Sequence, residues 1–167
     1  MARKAKYGPY NYERTLGTRN YTFTANVDDF VQSTVKRLRA LGMQSSQELI
    51  NQIQTPVGKG GKMRVDTGFL RASGQVSLTG MPTGPIRGRK RTADEPKDRE
   101  IYKTKPVAIA AFANFQLGNS IFFGWTANYA KYREAYDGFL ISGIQNWQSI
   151  VDRVCAKIKA RSPGANK

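Results

Sequence analysis

Residues 137–161 read DGFLISGIQNWQSIVDRVCAKIKAR, and the helical half of the fold rests on this stretch. Leu140, Ile144, Trp147, Val151, Val154 and Ile158 recur at spacings of 4, 3, 4, 3 and 4, the period of one helix face. Ile141, Ile150 and Cys155 widen the stripe, and Asp137 stands where an N-cap belongs. Arg153, Lys157, Lys159 and Arg161 load the last turns with positive charge, which complements the helix dipole. The pattern is under four heptads long, so it predicts a long C-terminal helix packed on a core rather than a coiled coil. Residues 162–167 read as a disordered tail.

The sheet signal precedes this helix. Residues 107–116, VAIAAFANFQ, predict a strand, Gly118-Asn119 a hairpin turn, and 120–126, SIFFGWT, the partner strand. Residues 74–80, GQVSLTG, add a short strand with Val76 and Leu78 on one face. A short turn joins neighbouring strands directly, so the sheet is antiparallel. Phe112, Phe122 and Trp125 make both faces of the hairpin apolar, so one face packs on a helix and the other is a candidate contact with a neighbouring subunit.

Towards the N-terminus, residues 26–41 predict another helix. Asn26 serves as N-cap, with Asp28 and Asp29 in the first turn. Phe30, Val31, Thr34, Val35, Leu38 and Leu41 form its apolar stripe, and Gly42 is the expected C-cap. A second helical piece over 45–54 places Leu49, Ile50 and Ile53 inward, as a continuation across a kink, and Thr55-Pro56 ends it. Residues 1–25 read as an extended basic, aromatic arm, because Gly8, Pro9 and Gly17 argue against a continuous helix. Its Tyr7, Tyr10, Tyr12 and Tyr21 are candidate inter-subunit residues, since tyrosine is favoured in interfaces. The expected architecture is therefore α+β. A small antiparallel β-sheet packs against an N-terminal helix and a long C-terminal helix, in one domain over 26–161.

Charge narrows the class of partner. Lys and Arg number 27 against 12 Asp and Glu, a net charge of +15. The resulting pI of about 10.2 is the usual footprint of a nucleic-acid neighbour. Residues 81–106 lack any apolar period and carry eight cations against four acids. A loop of that length inside a domain is generally functional or disordered. Arg87, Arg89, Lys90, Arg91, Lys103 and Lys105 in it are the DNA-proximal candidates. No base-reading element accompanies them. The stretch SSQELINQIQ, placed like the second helix of a helix-turn-helix, has no Lys or Arg, which makes it a poor phosphate binder. Charge spread over arm, loops and one helix end suits sequence-independent contact with phosphates.

The sequence argues against catalysis. It has no His and a single Cys, Cys155, which removes the commonest base, a thiolate zinc site and an internal disulfide. It fits a reducing compartment. The glycine-rich VGKGGKMRV at 57–65 departs from the phosphate-loop pattern, because Met63 follows Lys62. Asp28-Asp29 is explained by capping and Asp94-Glu95 by charge balance. Asp66, Glu100 and Glu134 are the acids for a Mg²⁺ site, but nothing in their spacing requires one. No catalytic residue, metal or cofactor is expected. Nor is a membrane-spanning helix, since no apolar run reaches about 18 residues, or a secretory signal, since no apolar segment follows the basic start.

Two segments, read together, carry a resemblance. The first runs from Thr55 to Gly74 and holds Pro56, then Asp66, Thr67, Gly68, Leu70, Arg71 and Ser73. The second runs from Asn128 to Trp147 and holds Tyr129, Ala130, Tyr132, Glu134, Phe139 and Leu140. In order and spacing the pair resembles the minor tail or tail-completion proteins that act at the neck of long-tailed bacteriophages. Two departures stand out: VGKGGKMRV separates Pro56 from the Thr-Gly pair, and Ala135 follows the Glu where the family usually has Gly. The resemblance implies a structural virion protein, present in the host cytoplasm during assembly. It would form a homo-oligomeric ring, sixfold or twelvefold, beside other neck, connector or tail-tube proteins, with DNA passing through the lumen. Arg71 bracing Glu134 is the contact expected to tie the two segments together. The alternative is a free-standing, sequence-independent architectural nucleic-acid-binding protein.

Overall fold

The computed structural model describes residues 12–84, 86–96, 100–103 and 112–161, with backbone alone for 12–24. The tail at 162–167, Tyr7, Tyr10 and Lys105 lie outside the described residues. The chain divides into two compact units, Met1–Arg37 and Leu38–Lys167.

One helix, α1, spans Tyr12–Ile53. Residues 12–25 are thus helical, which corrects the extended arm over that part of the chain, and Gly42 does not cap. A lone glycine costs a helix about 1 kcal/mol, less than the hydrogen bonds on either side of Gly17 and Gly42 return. Gly42 has a packing role instead, since a Cβ there would lie 3.3 Å from the Phe115 ring. The end of α1 falls before Thr55-Pro56 as expected, and the Thr55 hydroxyl donates back to the Asn51 carbonyl at 2.7 Å.

A 3-10 turn at Val57–Lys59 leads to the short helix α2, Phe69–Ala72, and to strand β1, Gly74–Ser77. Strand β2, Phe122–Trp125, pairs antiparallel with β1, with Gly74 opposite Trp125 and Ser77 opposite Phe122. The described partner of the 120–126 segment is therefore β1; of the expected strand, residues 107–111 lie outside the described residues and 112–115 form a turn. Phe112 and Phe115 are 3% and 6% exposed and sit in a turn closed by the Phe115 N–H on the Phe112 carbonyl. Their spacing of three turns both rings inward only where the chain curls, because a strand would send them to opposite faces. Residues 104–111 lie outside the described residues.

The C-terminal helical region is three helices: α3 Ala130–Asp137, α4 Phe139–Gln145 and α5 Trp147–Ala160. This corrects the single helix over 137–161. Gly138, at φ 59°, separates α3 from α4, and Asn146 separates α4 from α5. The buried residues Phe139, Gly143, Ile150 and Val154 keep spacings of 4, 7 and 4 across Asn146, so the inward face is offset from the expected stripe. Phe139, Ile150 and Val154 are buried, whereas Ile144 and Trp147, both on the expected inward stripe, are 50% and 38% exposed. Asp137 does not cap. Its side chain, 3% exposed, is held by Arg133 at 2.5 Å and Arg64 at 3.5 Å.

The fold is α+β, a two-stranded antiparallel sheet packed against helices. Met43, Val76, Ile121 and Phe123 pack against Ile50 and Phe112. Trp125 meets Phe139 edge-on, with centroids 5.0 Å apart, beside the cluster of Met63, Phe69, Leu70 and Ala127. Helix α4 approaches α1 closely, since a Cβ on Gly143 would fall 2.0 Å from Ile53 Cγ2. Glu48 of α1 accepts from Arg153 at 3.1 Å and Lys157 at 2.7 Å on α5. The Lys157 contact is the first cause of a Glu48 carboxyl held below its ordinary range.

Candidate anion-binding cleft

Three segments converge on one cleft of about 960 Å³: residues 64–71, loop residues 87–91, and Asn128, Tyr129 and Arg133. The two segments that carried the family resemblance are brought together here. Ser73 fastens the first of them to the residues that follow β2, just before the second begins. Its hydroxyl donates to the Leu70 carbonyl at 2.8 Å and accepts the Ala127 N–H at 3.2 Å, and its carbonyl accepts the Thr126 N–H at 3.1 Å. Phe69 stacks obliquely on Tyr129, centroids 6.2 Å apart. Burial, the first cause, pushes the Tyr129 phenol above its ordinary pKa.

Backbone contacts fix the loop against this pair. Gly68, at φ 80°, opens α2 in a conformation that favours glycine. The neighbouring Thr67 carbonyl accepts the N–H groups of Ile101 and Tyr102 at 2.8 and 2.9 Å. The Tyr102 hydroxyl in turn accepts the Arg89 N–H at 2.7 Å. A Cβ on Gly88 would lie 2.6 Å from the Phe69 ring, so the loop backbone rests directly on it. Ile86 donates to the Thr126 carbonyl at 2.7 Å and accepts from Asn128 at 3.0 Å.

Ion pairs organise the walls. Arg71 pairs with Glu100 at 2.5 Å, not with Glu134. Glu134 instead accepts the N–H groups of Leu140 at 2.8 Å and Ile141 at 3.0 Å. Those groups open α4 and lack intrahelical partners. Arg89 pairs with Glu95, Nη1 to Oε2 at 2.9 Å. The Arg89 guanidinium first, and the Thr92 N–H second, hold the Glu95 carboxyl well below its ordinary range, at about 2. Arg91 donates to the Asp66 carbonyl at 2.9 Å, to its carboxylate at 3.2 Å and to the Pro96 carbonyl. Arg87 and Lys90 are exposed and make no ion pair with the described residues. Asp66, Glu100 and Glu134 thus each serve a different partner. Among the described residues no three acidic or thiol groups gather as a metal site would need.

The remaining candidates distribute as follows. Pro56 accepts the N–H groups of Lys59 and Gly61, both at 2.9 Å, and shapes the turn after α1. Ala130, Phe139 and Leu140 pack in the core around Met63 and Phe69, while Tyr132 is 59% exposed. Lys103 is exposed outside the cleft lining. Tyr12 and Tyr21 lie on α1. Phe112 is core, Trp125 packs on Phe139, and Phe122 is half-buried, so these three do not form the second apolar face expected of the hairpin. Sequence reasoning missed the cleft and the two exposed apolar faces. On α1, Val27, Phe30, Val31, Val35 and Leu38 are 41–69% exposed. On α4, Ile141 and Ile144 are about half exposed. The α1 stripe was legible in its helical period, but the period does not say whether it turns towards its own core.

The chain matches no family model, no curated protein and no solved structure.

Proposed function

We propose that the chain is a structural protein of the neck of a long-tailed bacteriophage, a tail-completion, tail-terminator or head–tail joining component that assembles with copies of itself into a ring around passing DNA. The observation that carries this reading is the meeting of the two resemblance segments in one core, where the Phe69 ring lies 6.2 Å from that of Tyr129 and where Tyr129, Ala130, Phe139 and Leu140 pack with Phe69 and Leu70. Segments that meet as one built unit are stronger grounds for a shared family than two short motifs read separately. The exposed apolar faces of α1 and α4 add to it. A ring closes through heterologous contacts, which need two different surfaces on one chain, and exposed apolar patches of this kind mark protein contacts.

Native mass spectrometry of the full chain over a concentration series tests the self-assembly. The reading expects a closed oligomer, six or twelve copies, and its loss in Phe30→Ser with Val31→Ser. A chain that stays monomeric alone and with neck partners counts against it. The cationic cleft favours the second reading, a free-standing architectural nucleic-acid binder. Tight, steeply salt-dependent DNA binding by the isolated monomer would support that rival.

A further inference from the structure

The cleft holds more positive charge than its own carboxylates cancel. Seven cations line it against one acid, Asp66. Arg71, Arg89, Arg91 and Arg133 are committed to Glu100, Glu95, Asp66 and Asp137. Arg64 is held more loosely: its side chain is 74% exposed and lies 3.5 Å from a carboxylate that Arg133 already occupies. Arg87 and Lys90 are exposed and make no ion pair with the described residues. The committed pairs hold the walls while three cations stay available to an incoming anion. Gly88 on the Phe69 ring and the Arg89 N–H on the Tyr102 hydroxyl fix the backbone that bears Arg87 and Lys90. Such a site loses little freedom on binding.

We propose that this cleft is a sequence-independent site for the phosphodiester backbone of DNA, with Arg64, Arg87 and Lys90 as the phosphate-contacting residues. Cations on flexible stems contact phosphates whatever the base sequence. Two features favour a long polyanion over a short acidic peptide. The net charge of +15 attracts a polymer over the whole surface. Exposed Lys62 and Lys103, chain neighbours of Arg64 and Tyr102, extend the positive charge beyond the lining. The choice of DNA rests on the two readings above, both of which set the chain against nucleic acid, whereas the surplus of cations does not.

The test is fluorescence anisotropy of the full chain with two labelled duplexes of unrelated sequence, across a salt series. Arg87→Ala with Lys90→Ala is expected to reduce the slope of log affinity against log salt by about 1.8, at about 0.9 per phosphate contact, equally on both duplexes. Lys159→Ala with Arg161→Ala, the same charge change at the end of α5, is expected to reduce it by less than half as much. Unchanged far-ultraviolet circular dichroism and melting show that both double variants fold. Equal slopes for the two double variants, or no DNA binding by the native chain, overturn the cleft as a DNA site even if rings assemble. A change confined to one duplex overturns the backbone reading. Displacement of DNA by a glutamate-rich peptide of equal charge at equal concentration overturns the choice of phosphate. Cleft-dependent binding by a chain that never assembles leaves this inference standing and counts against the neck reading alone.

Discussion

The Glu134 carboxylate accepts the backbone N–H of Leu140 at 2.8 Å, six residues further along the chain. Its second oxygen accepts the Ile141 N–H at 3.0 Å. Gly138 between them turns in the left-handed region, so α3 reaches back to cap the helix that follows it. The acid at this place in the Tyr-Ala-x-x-x-Glu segment is therefore a helix cap.

Removing the cap exposes its worth. Glu134→Ala is expected to destabilise the fold by about 1–2 kcal/mol, the usual loss for an N-terminal capping oxygen. Glu134→Gln, which keeps one acceptor, costs about half of that. Chemical denaturation of the two variants checks the order. Equal stability of Glu134→Ala and the native chain would contradict the assignment.

Ser73 is 3% exposed, and its hydroxyl is the acceptor of the Ala127 N–H. Ser73→Ala leaves that buried donor unpaired, at an expected cost of about 1–3 kcal/mol. Amide exchange should locate the damage, with Ala127 losing protection more than the residues of α5.

Gly68 is constrained twice. Its φ of 80° is costly for any other L-residue, and a Cβ there would lie 2.7 Å from the Tyr102 carbonyl oxygen. Gly68→Ala should cost about 3 kcal/mol from conformation and crowding together. Tyr102 would move first, so weaker protection of the Ile101 and Tyr102 amides than of β1 is the signature.

Glu95 gives the loop a pH dependence with a definite sign. Its folded pKa of about 2 lies below the ordinary 4.5. The depressed value means that its contribution is fully present above about 4.5 and is lost as pH falls from there towards 2. Carboxyl NMR of the folded chain should find Glu95 still ionised at pH 3. Arg89→Ala should return the midpoint towards the ordinary value. A native midpoint near 4.5 would show that the Arg89 pair does not persist in solution.

The α+β class, the end of α1 at Thr55-Pro56 and strand β1 were legible because periodicity and proline act locally. The break at Asn146 was hidden, because the apolar stripe keeps its 4-3-4-3-4 spacing across it, whereas Gly138 lies before the stripe begins at Leu140. The pairing of β1 with β2 and of Arg71 with Glu100 joins residues far apart in sequence, where spacing carries no information. The cleft was invisible for the same reason. Arg87 to Arg91 were recognisable as cations, but what positions them is the Phe69 ring and the Tyr102 hydroxyl, contacts that only the folded chain creates.

Gold labelling of the full-length chain in the cells that produce it, followed by electron microscopy of the released particles, asks where the protein resides. The neck reading predicts label at the head–tail junction of tailed particles, on a ring of sixfold or twelvefold symmetry. Label dispersed on cellular DNA, with no tailed particle carrying it, would contradict that reading.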